Sequence, residues 1–254
     1  MKLLFLRILN LDGFHFVPLY NNLKIEINLA DSSENFYWYG CYPKHVVNFL
    51  QTHLKEADIF VDCGANFGLW TLIASQYVKK LGGVHSYEPN PEMYNRLEKN
   101  IAFNGLQERC NSYKLGLSSK STSAYLNLDE NYHQMGSMHT KSSGNQIAID
   151  LVTFDSVKLN RINGMKIDVE GHELDVIKGA IQTLKIHKPW LVVELNNSFN
   201  NIRSISQWDV FQALTEIGYV THFVTSEQLD PSFCRDIIFY TSTNSQKELF
   251  PAFL

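Results

Sequence analysis

Gly64 and Gly68 enclose Ala65-Asn66-Phe67, and Glu88 follows Gly64 by 24 positions. Small residues in a turn let backbone approach a ligand closely, and the start of a following helix offers unpaired N–H groups. A carboxylate at the end of the next strand can accept both hydroxyl protons of a ribose. Together these are the parts of a nucleoside site. An ordinary strand–helix turn followed by a strand-terminal glutamate has the same letters, so these residues alone leave both open.

The missing parts narrow the ligand. The turn is not G-x-G-x-x-G, so the dinucleotide fingerprint fails, and it is not G-x-x-x-x-G-K-[ST]. No lysine or arginine stands in it to meet phosphates. A nucleoside with little or no phosphate fits best, and S-adenosylmethionine is the common example.

The elements that must carry these residues are legible from periodicity. Ile59-Phe60-Val61 is a continuous apolar run, as in a strand covered on both faces. Leu69, Leu72, Ile73, Tyr77 and Val78 have helical spacing and end at Gly82-Gly83. Strands follow at 84–88, 109–115, 164–169 and 190–194, with helices over about 91–103 and from Gly171 through Leu184. Residues 118–149, rich in Ser, Asn and Thr, are expected to hold one short strand, Ala124 to Leu128, and a long loop. A helix near 206–217 and strands at 219–225 and 235–241 close the chain. Alternation of strand and helix predicts right-handed crossovers, a parallel sheet with helices on both faces and an antiparallel edge strand. Upstream, the alternating Lys24–Leu29 segment pairs with 14–20 across an Asn21-Asn22 turn. The expected division is an N-terminal β/α extension over 1–57, the main domain over 58–243 and a tail over 244–254.

Composition agrees with a globular chain. Of 254 residues, 44% are hydrophobic and 19% charged, and 22 Lys+Arg against 26 Asp+Glu leave no basic excess for a nucleic-acid backbone. Cys41, Cys63, Cys110 and Cys234 form no CxxC pair and fit a reducing compartment. The start, Met1 to Leu9, is cut by Arg7 and reads as a buried strand or turn, with surface anchoring as the alternative. No stretch reaches membrane-span length. A cytoplasmic location is expected, with no nucleic-acid partner and no stable membrane insertion.

The resemblance is carried by blocks in order. Phe60 to Gly68, then Tyr87-Glu88-Pro89-Asn90-Pro91 through Tyr94, Leu97, Asn100, Ile101 and Asn104-Gly105, resemble the FkbM family of S-adenosylmethionine-dependent methyltransferases. So do Thr153 to Val157, Met165 to Glu173 with Ile177, Gly179 and Ala180, and Pro189 to Glu194. Gly40-Cys41-Tyr42-Pro43 is similar to a family G-x-Y-E element, with proline in place of glutamate. The resemblance implies a class I methyltransferase fold, a Rossmann-like α/β sheet of seven strands with a reversed final hairpin. It implies that Asp62, Gly64, Ala65, Asn66 and Gly68 line the methionine part of S-adenosylmethionine. Glu88 then holds the ribose, Pro89 and Asn90 flank the adenine, and Leu117 and Ser118 border its edge. Asp62 as a turn-capping carboxylate is the alternative.

Methyl transfer is an in-line displacement in which the enzyme mainly aligns the nucleophile. A hydroxyl nucleophile needs a base nearby. Asp168, Glu170 and His172 surround the end of the central fourth strand, and alternation in an extended segment points Asp168 and Glu170 alike. One of these two is the expected base or acceptor clamp, and Asp168 also borders the cofactor. His172, with an ordinary pKa of about 6.5, is a second candidate base. Anchoring of the next helix is the alternative for Glu170 and His172. Glu194 is expected to touch acceptor, with a buried structural carboxylate equally open. No metal is required. The acceptor implied by the family is a hydroxyl of a saccharide, glycan or related metabolite. An N-methyltransferase, a natural-product O-methyltransferase and a non-catalytic cofactor-binding protein are the alternatives, and a homodimer is compatible with all. Phe36-Tyr37-Trp38-Tyr39 reads as core packing, with sugar stacking as the alternative. His133, Met135, Met138 and His139 read as a surface loop, with a lid over the acceptor as the alternative.

Overall fold

The main sheet is built from strands whose two faces are both buried. In the computed structural model, which describes residues 13–31, 34–79, 82–129, 132–137, 146–221 and 234–241, Ile59–Cys63 (β3) sends Phe60 to one core and Val61 and Cys63 to the other. Trp190–Asn196 (β11) does the same, with Trp190 and Val192 on one side and Leu191, Val193 and Leu195 on the other. Continuous apolar runs are therefore the right signal for these strands, because neither face meets water.

Gly83–Tyr87 (β4), Cys110–Tyr113 (β5), Gly164–Ile167 (β10), Tyr219–Thr221 (β12) and Cys234–Thr241 (β13) complete seven strands in the order β12-β13-β11-β10-β3-β4-β5. All neighbours are parallel except that β13 runs antiparallel to both β11 and β12. The reversed strand is thus one position in from the edge. Chain order reverses direction between β3 and β10, and that crevice is where ligands bind in open α/β sheets.

Phe14–Pro18 (β1) and Lys24–Asn28 (β2) form the expected hairpin, with Asn21 and Asn22 both at positive φ in its turn. Helices Asn35–Trp38 (α1) and Lys44–His53 (α2) follow, then Leu69–Ala74 (α3) after β3 and Pro91–Phe103 (α4) after β4. The hairpin docks on α4 through polar side chains. Asn100 Oδ1 accepts the Glu26 N–H at 2.7 Å, and Asn104 bonds both the N–H and the carbonyl of Lys24.

Two expectations are corrected. Residues 118–149 are not mainly loop. Gly116–Leu117 (β6), Thr122–Asp129 (β7), Tyr132–Ser137 (β8) and Gln146–Val152 (β9) make a second sheet in the order β6-β9-β7-β8. Its composition is polar because only one face has a core to cover, that of Leu126, Ile149 and Leu151. The helix after Gly171 is also not continuous. Glu173–Lys178 (α5) and Ile181–His187 (α6) are separate, because Asp155 caps the second by accepting from the N–H groups of Gln182 and Thr183. Asn197–Asn200 (α7) and Asp209–Glu216 (α8) precede β12. Residues 1–9, Met138, His139 and the 244–254 tail lie outside the described residues. No helix among the described residues is long and apolar enough to cross a membrane.

Candidate functional site

Beyond the carboxyl ends of β4, β3, β10 and β11 lies a cavity of about 340 Å³. Its size is in the range of small-molecule sites. Gly64, Ala65, Asn66, Glu88, Pro89, Asn90, Leu117, Asp168, Glu170, His172 and Glu194 all line it. Asp62, Gly68 and Ser118 do not.

The bend after β3 is shaped by backbone conformation. Gly64, Asn66 and Gly68 have φ of 78°, 52° and 102°. A Cβ on Gly64 would lie 1.8 Å from the Asp168 carbonyl oxygen. Glycine is needed there for close approach to the neighbouring chain segment, not only to a ligand. At Gly68 a Cβ would meet Leu97 at 2.7 Å, so that position serves packing between α3 and α4.

Glu88 joins the two turns. Its Oε2 accepts the Asn66 N–H and its Oε1 accepts the Asn90 N–H, both at 2.8 Å. Each oxygen retains acceptor capacity toward the cavity. Burial pushes the carboxyl up to about 7, against the two N–H groups that favour its charge. Asn90 caps α4 by accepting from Glu92, while its Nδ2 is buried without a partner among the described residues.

Asp62 lies in β3, outside the cavity lining. It is wholly buried, and its Oδ2 accepts from Thr71 Oγ1 at 2.6 Å, tying α3 to β3. Burial raises it to about 6. Ser118 is likewise used by the backbone, its N–H bonding the Val152 carbonyl.

The other end of the cavity is a group of carboxylates around one buried cation. Lys166 is 1% exposed, with Nζ at 2.6 Å from Asp168 Oδ2 and 3.7 Å from Asp236 Oδ1. Its ammonium also lies 5.5 Å from the Trp70 ring centroid. Burial opposes its charge, but Asp168, Asp236 and Glu194 outweigh burial and hold its pKa above the ordinary lysine value. Glu194, on β11 opposite Asp236, is pushed up to about 9 by burial and by the Asp168 charge, so it carries its proton at neutral pH. Glu170 is pushed up to about 7 by burial and by the Asp168 and Glu173 charges, and its Oε2 has no partner among the described residues.

Strand alternation does not relate Asp168 to Glu170. β10 stops at Ile167, and Glu170 has φ of 52°. Both nevertheless line the cavity. The turn between them is anchored by Glu173, whose Oε1 accepts the Val169 and Gly171 N–H groups. Anchoring of the next helix was the alternative for Glu170 and His172, and here Glu173 makes the anchoring bonds. His172 occupies the N-cap position of α5 without a side-chain capping bond, and its Nδ1 is 3.6 Å from Asp175 Oδ2.

Sequence reasoning missed Lys166 and Asp236, and read Tyr37 as core packing with sugar stacking as the alternative. A lysine between Met165 and Ile167 in a fully buried strand requires a carboxylate partner, and Asp236 before Ile237-Ile238 carries the same signal. Tyr37 lines the cavity, with its ring edge-on to Phe67 at 5.6 Å between centroids.

This arrangement can hold a ribose diol at one end and bring a protonated carboxyl and a carboxylate near neutrality to bear on a second ligand at the other. Residues 62–221 match the family model described as the methyltransferase FkbM domain. A hexuronic acid methyltransferase, AglP of Haloferax volcanii, is 28% identical over 192 residues, 74% of each chain. The crystal structure of methyltransferase FkbM from Methylobacillus flagellatus superposes with a TM-score of 0.52 at 16% identity over 81% of this chain, which spans 52% of that one. The tRNA m1G37 methyltransferase of M. jannaschii superposes with a TM-score of 0.50 at 11% identity, over 91% of this chain and 57% of that one. At such identities these structures show the fold.

Proposed function

The chain belongs to the FkbM family of S-adenosylmethionine-dependent methyltransferases, and we propose that it methylates a hydroxyl of a saccharide or glycan with Glu170 as the base. The similarity to a hexuronic acid methyltransferase supports a sugar acceptor. The observation that carries the reading is the convergence in one cavity of the Glu88-clamped turns and the Asp168, Glu170 and Glu194 carboxyls.

S-adenosylmethionine fits the residues present. Two carboxylate oxygens with spare acceptor capacity at Glu88 match a pair of ribose hydroxyls. The unpaired Asn90 Nδ2 offers a donor to a ring nitrogen, and Pro89, Leu117 and Leu151 give the apolar flank a base needs. The Gly64–Phe67 bend would border the methionine part, with Asp168 beside it. When bound, the cofactor supplies an electrophilic methyl group on a positively charged sulfur.

The residues of the chain do the rest. Lys166 holds Asp168 by Oδ2 and leaves Oδ1 for the cavity. Glu170, raised to about 7 with one oxygen unpartnered, is suited to take a hydroxyl proton near neutral pH. Glu194, protonated at neutral pH, can donate to an acceptor oxygen and fix its orientation. Aromatic and aliphatic walls from Tyr37, Trp70, Leu126 and Ile149 exclude water from the transfer position.

Incubation with S-adenosylmethionine and a panel of neutral sugars, hexuronic acids and glycans tests the reading. Release of S-adenosylhomocysteine with an O-methyl product is expected. Release only with amine acceptors would overturn it.

A further inference from the structure

We infer that Tyr37 is an acceptor-positioning residue on a wall of the acceptor site. This rests on the methyl-transfer reading above but assigns a residue outside the part of the chain that matches the family model, which begins at residue 62. Tyr37 comes from α1, in the N-terminal extension, and lines the same cavity as Asp168, Glu170 and Glu194. Burial and the charges of Asp168, Glu34 and Glu194 push its hydroxyl up to about 12, against a smaller opposite pull from Lys166. The phenol therefore keeps its proton at every working pH and acts as a donor beside acceptor-rich carboxylates.

The wall is held rigidly. Glu34, 1% exposed, takes both terminal nitrogens of Arg96 on α4 at 2.7 and 2.6 Å and also accepts the Asn28 N–H at 2.6 Å. Two parallel bonds of this kind fix orientation as well as distance. The Arg96 guanidinium lies 4.8 Å from the Phe67 ring centroid, and Phe67 meets the Tyr37 ring edge. Asn100, one turn along α4, donates to the Phe67 carbonyl at 2.7 Å. Tyr37 is thereby indexed to the same helix whose first turn is tied to Glu88 through Asn90. An extension outside the family core that delivers a proton donor to the cavity is placed to set which acceptor hydroxyl meets the methyl group.

The test uses the full chain and a saccharide that the parent protein methylates. Tyr37→Phe keeps the ring and its packing on Phe67. Expected are a fivefold to tenfold rise, as an order-of-magnitude estimate, in acceptor Kd measured in the complex with S-adenosylhomocysteine, a matching rise in KM and kcat within about twofold. The affinity for S-adenosylhomocysteine alone is unchanged. Glu34→Gln, which loosens the wall without touching the cavity, raises acceptor Kd in the same direction. Unchanged acceptor Kd in Tyr37→Phe overturns the assignment, and so does a parallel loss of S-adenosylhomocysteine affinity. Absence of methyl transfer by the parent to every saccharide overturns the acceptor class instead, so the two failures are distinct.

Discussion

The carboxylate of Glu88 is shared between two turns, one oxygen on the Asn66 N–H and the other on the Asn90 N–H, at 2.8 Å each. Glu88 also lines the cavity, so the residue that ties the turns is the one proposed to hold the ribose. Glu88→Ala should destabilise the protein by about 1–3 kcal/mol, because two amide donors lose their acceptor. It should weaken S-adenosylhomocysteine binding by at least about a hundredfold, the equivalent of two charge-assisted bonds. Glu88→Gln, which keeps one acceptor oxygen, should fall between. Chemical denaturation and calorimetry on the three proteins check this.

Cofactor affinity should depend on pH through the same group. Ribose hydroxyls donate to the ionised carboxylate, whose pKa is held at about 7 by burial. Affinity should level off above that value and fall below it, by up to about tenfold per pH unit. Calorimetry with S-adenosylhomocysteine between pH 5.5 and 8.5 reads the slope, and Glu88→Gln should flatten it.

Stability of the ligand-free protein should run the other way. Asp62, Glu88, Glu170 and Glu194 are raised to about 6, 7, 7 and 9, above the 3.8 of an ordinary Asp and the 4.5 of an ordinary Glu. The folded chain therefore binds more protons than the unfolded chain across that range, and protonation favours folding. Stability should rise as pH falls from 9 toward 6. Below that, His53 and His85, held under the usual 6.5 by burial, begin to oppose it because they must charge on unfolding. Urea midpoints measured from pH 5 to 9 should rise steadily as pH falls from 9 to about 6 and more slowly below it, where the two histidines offset part of the gain.

Glu170→Gln should lower kcat by about a hundredfold to ten-thousandfold, the usual scale for loss of a general base, with S-adenosylhomocysteine affinity retained. The acid limb of the pH–rate profile, near pH 7 in the parent, should disappear with it. Full turnover in a folded variant would remove Glu170 from proton transfer.

Lys166→Met leaves Asp168 and Asp236 without their shared cation and should cost about 3–5 kcal/mol of stability. Asp236→Asn removes the more distant partner, 3.7 Å against 2.6 Å, and should cost less. Thermal and urea unfolding of both variants check the order.

How much was legible follows from what each signal reports. Apolar periodicity reports burial, so β3, β10 and β11 and the parallel sheet could be read directly. The second sheet was hidden because its strands cover one small core and face outward in polar residues. Glu88 and the Gly64 bend were found because carboxylate and glycine spacing reflects the chain path between adjacent strand ends. The bond from Thr71, nine positions on, back to Asp62 could not be read from the sequence, because it depends on how α3 turns back onto β3. Asp236 was missed because it comes from a segment remote in sequence, and only strand pairing in the folded sheet sets it opposite Glu194 and 3.7 Å from Lys166; Tyr37 was read as core packing, with sugar stacking as the alternative, because an aromatic cluster does not show which ring faces a cavity.

A crystal structure of the complex with S-adenosylhomocysteine tests the central claim most directly. The account predicts both ribose hydroxyls within about 3 Å of the Glu88 oxygens and the sulfur facing the space bounded by Asp168, Glu170 and Glu194. A nucleoside bound elsewhere, or a sulfur turned away from those three carboxyls, would contradict it.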